Sequence, residues 1–208
     1  MQLLIHALVG WVGGNLVCTT PRERAGAMAV SLIADADGAA LLGGVAAYQD
    51  YHHVVGHNLA YGLLASAGLA WWLGRRWPVF GGYAGLYALH LLMDFYGSGQ
   101  AWGLAWWWPF SPRYDYCPQA WELNSWQNFT VLGLGVAVCG WIYWRCRRTP
   151  LEYVAPAWDR RCLGALPAAK PTAGARSWEQ RAGGQEPREA GRPDYETTDF
   201  STTSNRRR

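Results

Sequence analysis

"FTVLGLGVAVCGWIYW", residues 129–144, is the stretch on which the fold turns. It carries no charge, is rich in Leu, Val and Gly, and runs into an aromatic cluster followed at once by "RCRR" (145–148). A bilayer core takes ~20 apolar residues in a helix, and interfacial aromatics followed by arginines close such a helix at the membrane surface. Residues 124–144 therefore read as a membrane span.

Four further apolar blocks lie upstream, at 1–18, 26–47, 57–73 and 78–96. Several are near the lower length limit, which predicts short, tilted or partly inserted helices. The first has no basic residues ahead of its apolar run, so a cleaved signal peptide is not expected. The blocks together predict an all-α fold: a multi-span helical membrane bundle of about five helices, occupying residues 1–148. The chain has 208 residues and a mean hydropathy of only −0.11, because residues 149–208 are of another kind. That stretch is rich in Arg, Glu, Pro, Ser and Thr. It cannot bury enough apolar surface to offset its ordering entropy and reads as a disordered polar tail.

The arginines orient the bundle. "PRER" (21–24) follows the first block, "GRR" (74–76) the third and "RCRR" the fifth. With five crossings all three clusters fall on one side, which the positive-inside rule makes cytoplasmic. The N-terminus is then outside and the tail inside. The opposite loops hold "YQDYHHVVGH" (48–57) and the Trp-, Tyr- and Pro-rich stretch 97–127, which reads as lying at the outer lipid surface.

The net charge of +3 is small, Lys170 is the sole lysine, and no basic stripe is interleaved with aromatics, so nothing signals nucleic acid. Membrane lipid is the expected partner, and the closing "NRRR" adds a short basic end suited to anionic headgroups. The five cysteines form no CxxC pair and are odd in number, which argues against a zinc knuckle or a disulfide framework.

The five histidines are His6, His52, His53, His57 and His90. None lies in a cytoplasmic loop or the tail. With Asp35, Asp37 and Asp94 they gather toward the non-cytoplasmic face of a topology deduced from arginines alone. His90 and Asp94 are four apart and share one helix face. His52 and His57 are five apart, which suits a loop-to-helix junction. Asp35 and Asp37 diverge on a helix, so one can bind metal while the other supports a ligand or caps a break at Gly38. Imidazole and carboxylate are the ligand set of Zn, Mn or Fe, and a divalent cation makes several carboxylates tolerable at low dielectric. His53 reads as a supporting or surface residue. The competing reading is a structural network in which His90 pairs with Asp94 and His57 with Asp35 without metal.

"LIHALVG" (4–10), "LIADADG" (32–38), "HHVVGHNL" (52–59), "LHLLMDFYGSG" (89–99) and "WWPF" (107–110) resemble, in order and spacing, the membrane-bound metal-dependent hydrolases described as LexA-binding and associated with the bacterial inner membrane. The resemblance covers roughly residues 3–145. It matches His6, Asp35, Asp37, His52, His57, His90 and Asp94 to the family's polar positions. It departs at Ala34 for Pro, His53 for Arg, and Gly56-His57-Asn58 for Thr-His-Ser. An Arg forks onto phosphate better than an imidazole, so the second departure bears on anionic substrates. The family's relation to zinc-dependent phospholipase C and P1-type nucleases implies helices presenting His and Asp to metal, and phosphoester hydrolysis by metal-activated water.

The sequence thus predicts a membrane-embedded hydrolase of phosphoester or lipid-type substrates. Its divalent metal, zinc before manganese or iron, is held by His6, Asp35, His52, His57, His90 and Asp94. Asp35 or Asp37 orients or deprotonates the water. The alternative is a non-enzymatic metal-binding scaffold or regulatory protein whose tail recruits a cytoplasmic partner.

Overall fold

The computed structural model describes residues 2–73 and 76–164. Seven α-helices follow one another: α1 Leu3–Val17, α2 Pro21–Val30, α3 Val45–Tyr51, α4 Leu59–Trp72, α5 Trp77–Gly97, α6 Trp126–Cys146 and α7 Pro156–Gly164. A 3-10 segment, Ala34–Gly43, joins α2 to α3. Among the described residues there is no β-strand, only an isolated bridge between Leu104 and Asp115 in the loop before α6. The fold is all-helical, as the apolar blocks predict.

Local chemistry sets the helix starts. Pro21 opens α2 behind a capping box: the Glu23 N–H donates to Thr20 Oγ1 at 3.2 Å, and the Thr20 N–H donates back to the Glu23 carboxylate at 3.1 Å. Asn58 caps α4, its side-chain oxygen accepting from the Tyr61 N–H at 2.8 Å. Past the end of α5, Gly99 has φ 101°, a conformation that costs glycine nothing and lets the chain turn out of the helix.

The five-span bundle expected from the sequence is not shown. By length and composition α6 alone among the described residues can cross a membrane; the number is two if α2 and the 3-10 segment, bent by 53°, count as one broken span. Helices α1 and α4 have 15 and 14 residues. At 1.5 Å per residue each reaches only ~22 Å, short of the ~30 Å hydrocarbon core. The block 26–47 is not continuous. It breaks after Val30, and the tighter 3-10 path carries Asp35 and Asp37. Helix α6 fits its expected role well: Phe129, Leu134, Val136, Trp141 and Trp144 all stand exposed on it, a surface suited to lipid.

Helix α1 packs on α2, α5 and α6, and α4 packs on α5. Ile5, Trp11, Val30, Tyr83, Tyr87 and Leu91 are fully or nearly fully buried. Close approach of α1 to α2 depends on Gly10, where a Cβ would sit 2.9 Å from the Ala27 carbonyl oxygen.

The three arginine-bearing turns meet through their side chains. Arg76 reaches Glu23 at 2.7 Å and Thr19 at 2.8 Å, and Arg148 reaches Asn15 at 3.2 Å. Arg24 is buried and pairs with Glu152 at 2.5 and 2.7 Å. Glu152 and α7 belong to the stretch 149–208 that composition reads as a disordered tail. Residues 149–164 instead carry a helix, this ion pair and a 2.7 Å bond from the Thr149 hydroxyl to Asp159. One specific partner outweighs the polar composition there. The rest of the expected tail, with its proposed partner-recruiting motifs and "NRRR", lies outside the described residues.

Candidate metal centre

Asp94 lies at the middle of a buried cluster. Its Oδ2 is 3.0 Å from His90 Nε2, one turn earlier on α5, and 3.2 Å from His57 Nε2. Its Oδ1 is 3.1 Å from His6 Nε2 on α1 and accepts from the Ser98 hydroxyl at 3.2 Å. His6, His57, His90 and Asp94 are all essentially inaccessible. Asp35, from the 3-10 segment, places Oδ1 3.6 Å from His57 Nε2.

Asp37, two residues on, reaches the other side of the same ring. Its Oδ2 accepts from His57 Nδ1 at 2.9 Å and from the Gly56 N–H at 3.1 Å, and its Oδ1 accepts from His52 Nδ1 at 2.7 Å. The tighter turn of the 3-10 path is what lets carboxylates two residues apart bracket one imidazole. Both are needed at this depth, since a buried carboxylate without partners is costly.

Proton bookkeeping shows what the cluster lacks. The His90 Nδ1 faces the Ser31 carbonyl at 2.8 Å, so it carries the hydrogen. The His57 Nδ1 carries one for Asp37. The Nε2 atoms of both rings then present lone pairs, yet they lie 3.3 Å apart and both face Asp94 Oδ2. A proton held on one of these rings, or a cation, bridges the three atoms. Asp35, His57, His90 and Asp94 each offer one donor atom within 4.8 Å of the others, and Asp37, His52 and His57 form a second such group. The Asp35 Oδ2 is buried without a hydrogen-bond partner. The donor set fits a divalent metal, with His57 and His90 each held by an acceptor on the far nitrogen as metal-ligating histidines are.

A family model for the YdjM inner membrane protein matches residues 1–160. The chain belongs to the YdjM inner membrane protein family. No curated protein and no solved structure matches it. The matched region takes in every histidine and aspartate of the cluster, as well as α6 and Glu152. Membership of a YdjM inner membrane family and the apolar α6 together support membrane association.

All seven residues expected at the site of this YdjM family member come together: His6, Asp35, Asp37, His52, His57, His90 and Asp94. His52 is the outermost: it bonds to Asp37, its ring meets His57 edge-on at 5.2 Å, and it stacks on Tyr48 at 4.4 Å. His53 is buried, not on the surface. It adopts φ 67° and stacks on His57 with ring centroids 4.4 Å apart. Burial, reinforced by the neighbouring His57, pushes its imidazole down to about 3, so it stays neutral. Trp102 packs over His52 and His53 at 5.7 and 5.3 Å and brings the aromatic loop against the site.

Several supporting groups escape a reading of the sequence. The Ser31 carbonyl and the Gly56 N–H are backbone atoms with no signature of their own. The Tyr87 hydroxyl donates to the Gly56 carbonyl. Ser98 follows Asp94 by four residues on the same face, a spacing that does mark it.

Proposed function

We propose that this YdjM-family protein is a membrane-embedded, metal-dependent hydrolase acting on phosphoester or lipid-type substrates. The observation that carries the metal is the convergence of the His57 and His90 Nε2 atoms on Asp94 Oδ2 at 3.2 and 3.0 Å, with Asp35 beside them. Zinc is the first choice for this nitrogen- and oxygen-rich set, ahead of manganese and iron. When bound, the metal polarises a phosphoryl oxygen and lowers the pKa of a water toward ~7.

The chain's own residues divide the remaining work. His57, His90, Asp94 and Asp35 hold the ion, with His6 bound to the second oxygen of Asp94. Asp37 fixes the tautomers of His57 and His52 and is fully occupied in doing so. Asp35 keeps a buried oxygen without a partner, Oδ2, and takes the proton of the attacking water there. The hydrolase reading also draws on the five sequence motifs and their resemblance to the LexA-binding inner-membrane hydrolases.

In this reading the chain crosses the membrane five times, the short α1 and α4 being accommodated by local thinning of the bilayer. The arginine-bearing turns and the tail face the cytoplasm, and the metal centre lies toward the other face. The Trp-rich loop from Trp102 to Trp126 borders the site at the lipid surface, so a lipid substrate reaches it laterally.

Elemental analysis of detergent-purified protein tests the centre, beside Asp94→Ala. About one or two metal equivalents per chain, lost in the variant, support it and set up a screen of phosphoester and phospholipid substrates. A well-folded wild type without metal overturns it. Metal without turnover of any substrate in the screen overturns the hydrolase and leaves a metal-binding scaffold.

A further inference from the structure

The end of the molecule away from the histidines carries a second surface that the metal centre does not use. Ala67, Ala70 and Trp71 of α4 face Trp77 and Phe80 of α5 across an apolar groove of about 360 Å³, and Arg76 is the one charged residue in its walls among the described residues. On the other side of the α4 terminus a smaller hollow of about 190 Å³ is bounded by Leu69, Trp72, Leu73 and Arg22. Trp71, Trp72 and Trp77 are each more than three-fifths exposed. The exposed rings of Trp72 and Trp77 beside a groove suit contact with lipid.

The charges select the headgroup. Arg76 gives only Nη1 to Glu23 and Thr19; among the described residues its Nε and Nη2 donate to nothing. Glu23 and Glu152 are committed to Arg76 and Arg24. Arg22 lies over the Trp72 ring at 5.4 Å and meets no carboxylate among the described residues. The three arginines thus outnumber the two carboxylates, and the Arg148 bond to Asn15 brings a further guanidinium to the same end. A guanidinium with two free donor positions binds a phosphate oxygen pair well.

We propose that this groove is a binding site for an anionic phospholipid. An acyl chain lies along Trp71, Trp77 and Phe80, and the phosphate sits on the open edge of Arg76. The site stands apart from the metal centre and holds whether or not that centre hydrolyses anything.

Full-length protein, delipidated in detergent, is titrated with phosphatidylglycerol or phosphatidylcholine, and retained lipid is counted by native mass spectrometry. Phosphatidylglycerol should be retained at about fivefold lower concentration, the equivalent of one arginine near an anionic surface. Arg76→Gln should remove that preference. Because Arg76 also braces Glu23, a second variant, Ala67→Trp, fills the groove from an exposed position and leaves every charge in place. It should abolish retention of both lipids with an unchanged melting temperature. Equal retention of the two lipids by the wild type overturns the proposal, as does wild-type retention in Ala67→Trp. A protein dimer that Ala67→Trp dissolves, with no lipid retained in any sample, assigns the groove to a second copy and overturns it too.

Discussion

Asp94 Oδ2 lies 3.0 Å from the Nε2 of His90, and the helix that carries both makes that contact in a single turn. The pair is a preformed two-donor unit on one rigid element, α5. Every other member of the cluster comes to it from elsewhere in the chain: His6 from α1, Asp35 from the 3-10 segment, His57 from the start of α4. Asp94→Asn keeps the shape and removes the charge. It should lower metal content to below about a tenth of wild type, since the site then loses its central anion and one ligand. Elemental analysis of both proteins, matched for melting behaviour, checks this. Undiminished metal in the variant places the ion elsewhere.

Asp35 and Asp37 should separate by phenotype. Asp37 is saturated by His52, His57 and the Gly56 N–H, so Asp37→Asn removes the acceptor that fixes two imidazole tautomers. Metal affinity should fall about 10- to 100-fold, as for other supporting carboxylates. Asp35→Asn alters a peripheral ligand and the open oxygen. It should retain most of the metal and lose about 10²- to 10⁴-fold in turnover on any substrate found, the usual contribution of a general base. Competition with a chelating dye reads the first effect, and turnover at saturating metal reads the second. Reversal of the two phenotypes would exchange the roles.

The side chains of this centre are legible in the sequence because polar groups in apolar blocks stand out. That is enough to pick out His6, Asp35, Asp37, His52, His57, His90 and Asp94; the packing of α1, the 3-10 segment and α4 against α5 brings them together. The break after Val30 is not legible. Asp35, Asp37 and Gly38 mark a break within residues 26–47 but not its place, and its purpose appears only when both carboxylates bracket His57. Backbone partners are silent for the same reason. Gly56 gives its N–H to Asp37 and its carbonyl to Tyr87, and a Cβ there would collide with the Ala34 carbonyl, yet in the sequence it is one glycine among 25. Docking of 149–164 is hidden by average composition, which cannot show that one glutamate has a buried arginine waiting.

Metal retention should depend on pH with a definite sign. The ligands bind as neutral imidazoles and as carboxylates, so protons compete with the ion for every one of them. Retention should be complete near pH 8 and fall on acidification through the histidine range, about 6.5 for an unperturbed ring. Dialysis against buffers from pH 8 to pH 5, followed by elemental analysis, gives the curve. Restored metal on return to pH 8 with added zinc shows that the loss is ligand protonation and not unfolding. A flat curve, repeated with a competing chelator in the dialysis buffer, would count against imidazole ligands.

The Arg24–Glu152 pair supplies a test of how the segment after α6 is held. Arg24 is almost wholly buried, and besides Glu152 its guanidinium serves the Thr19 carbonyl at 3.1 Å. Glu152→Gln removes the charge that balances it. Breaking one side of a buried pair costs about 3–5 kcal/mol, because an uncompensated cation stays behind. The melting temperature in detergent should fall clearly, and limited proteolysis should cut sooner between 148 and 156. The double variant Arg24→Met, Glu152→Leu removes both charges and keeps the volume, so it should recover most of the loss. Equal destabilisation by the single and double variants would mean that Arg24 acts through its carbonyl contacts, and that residues 149–155 are held by something other than this pair.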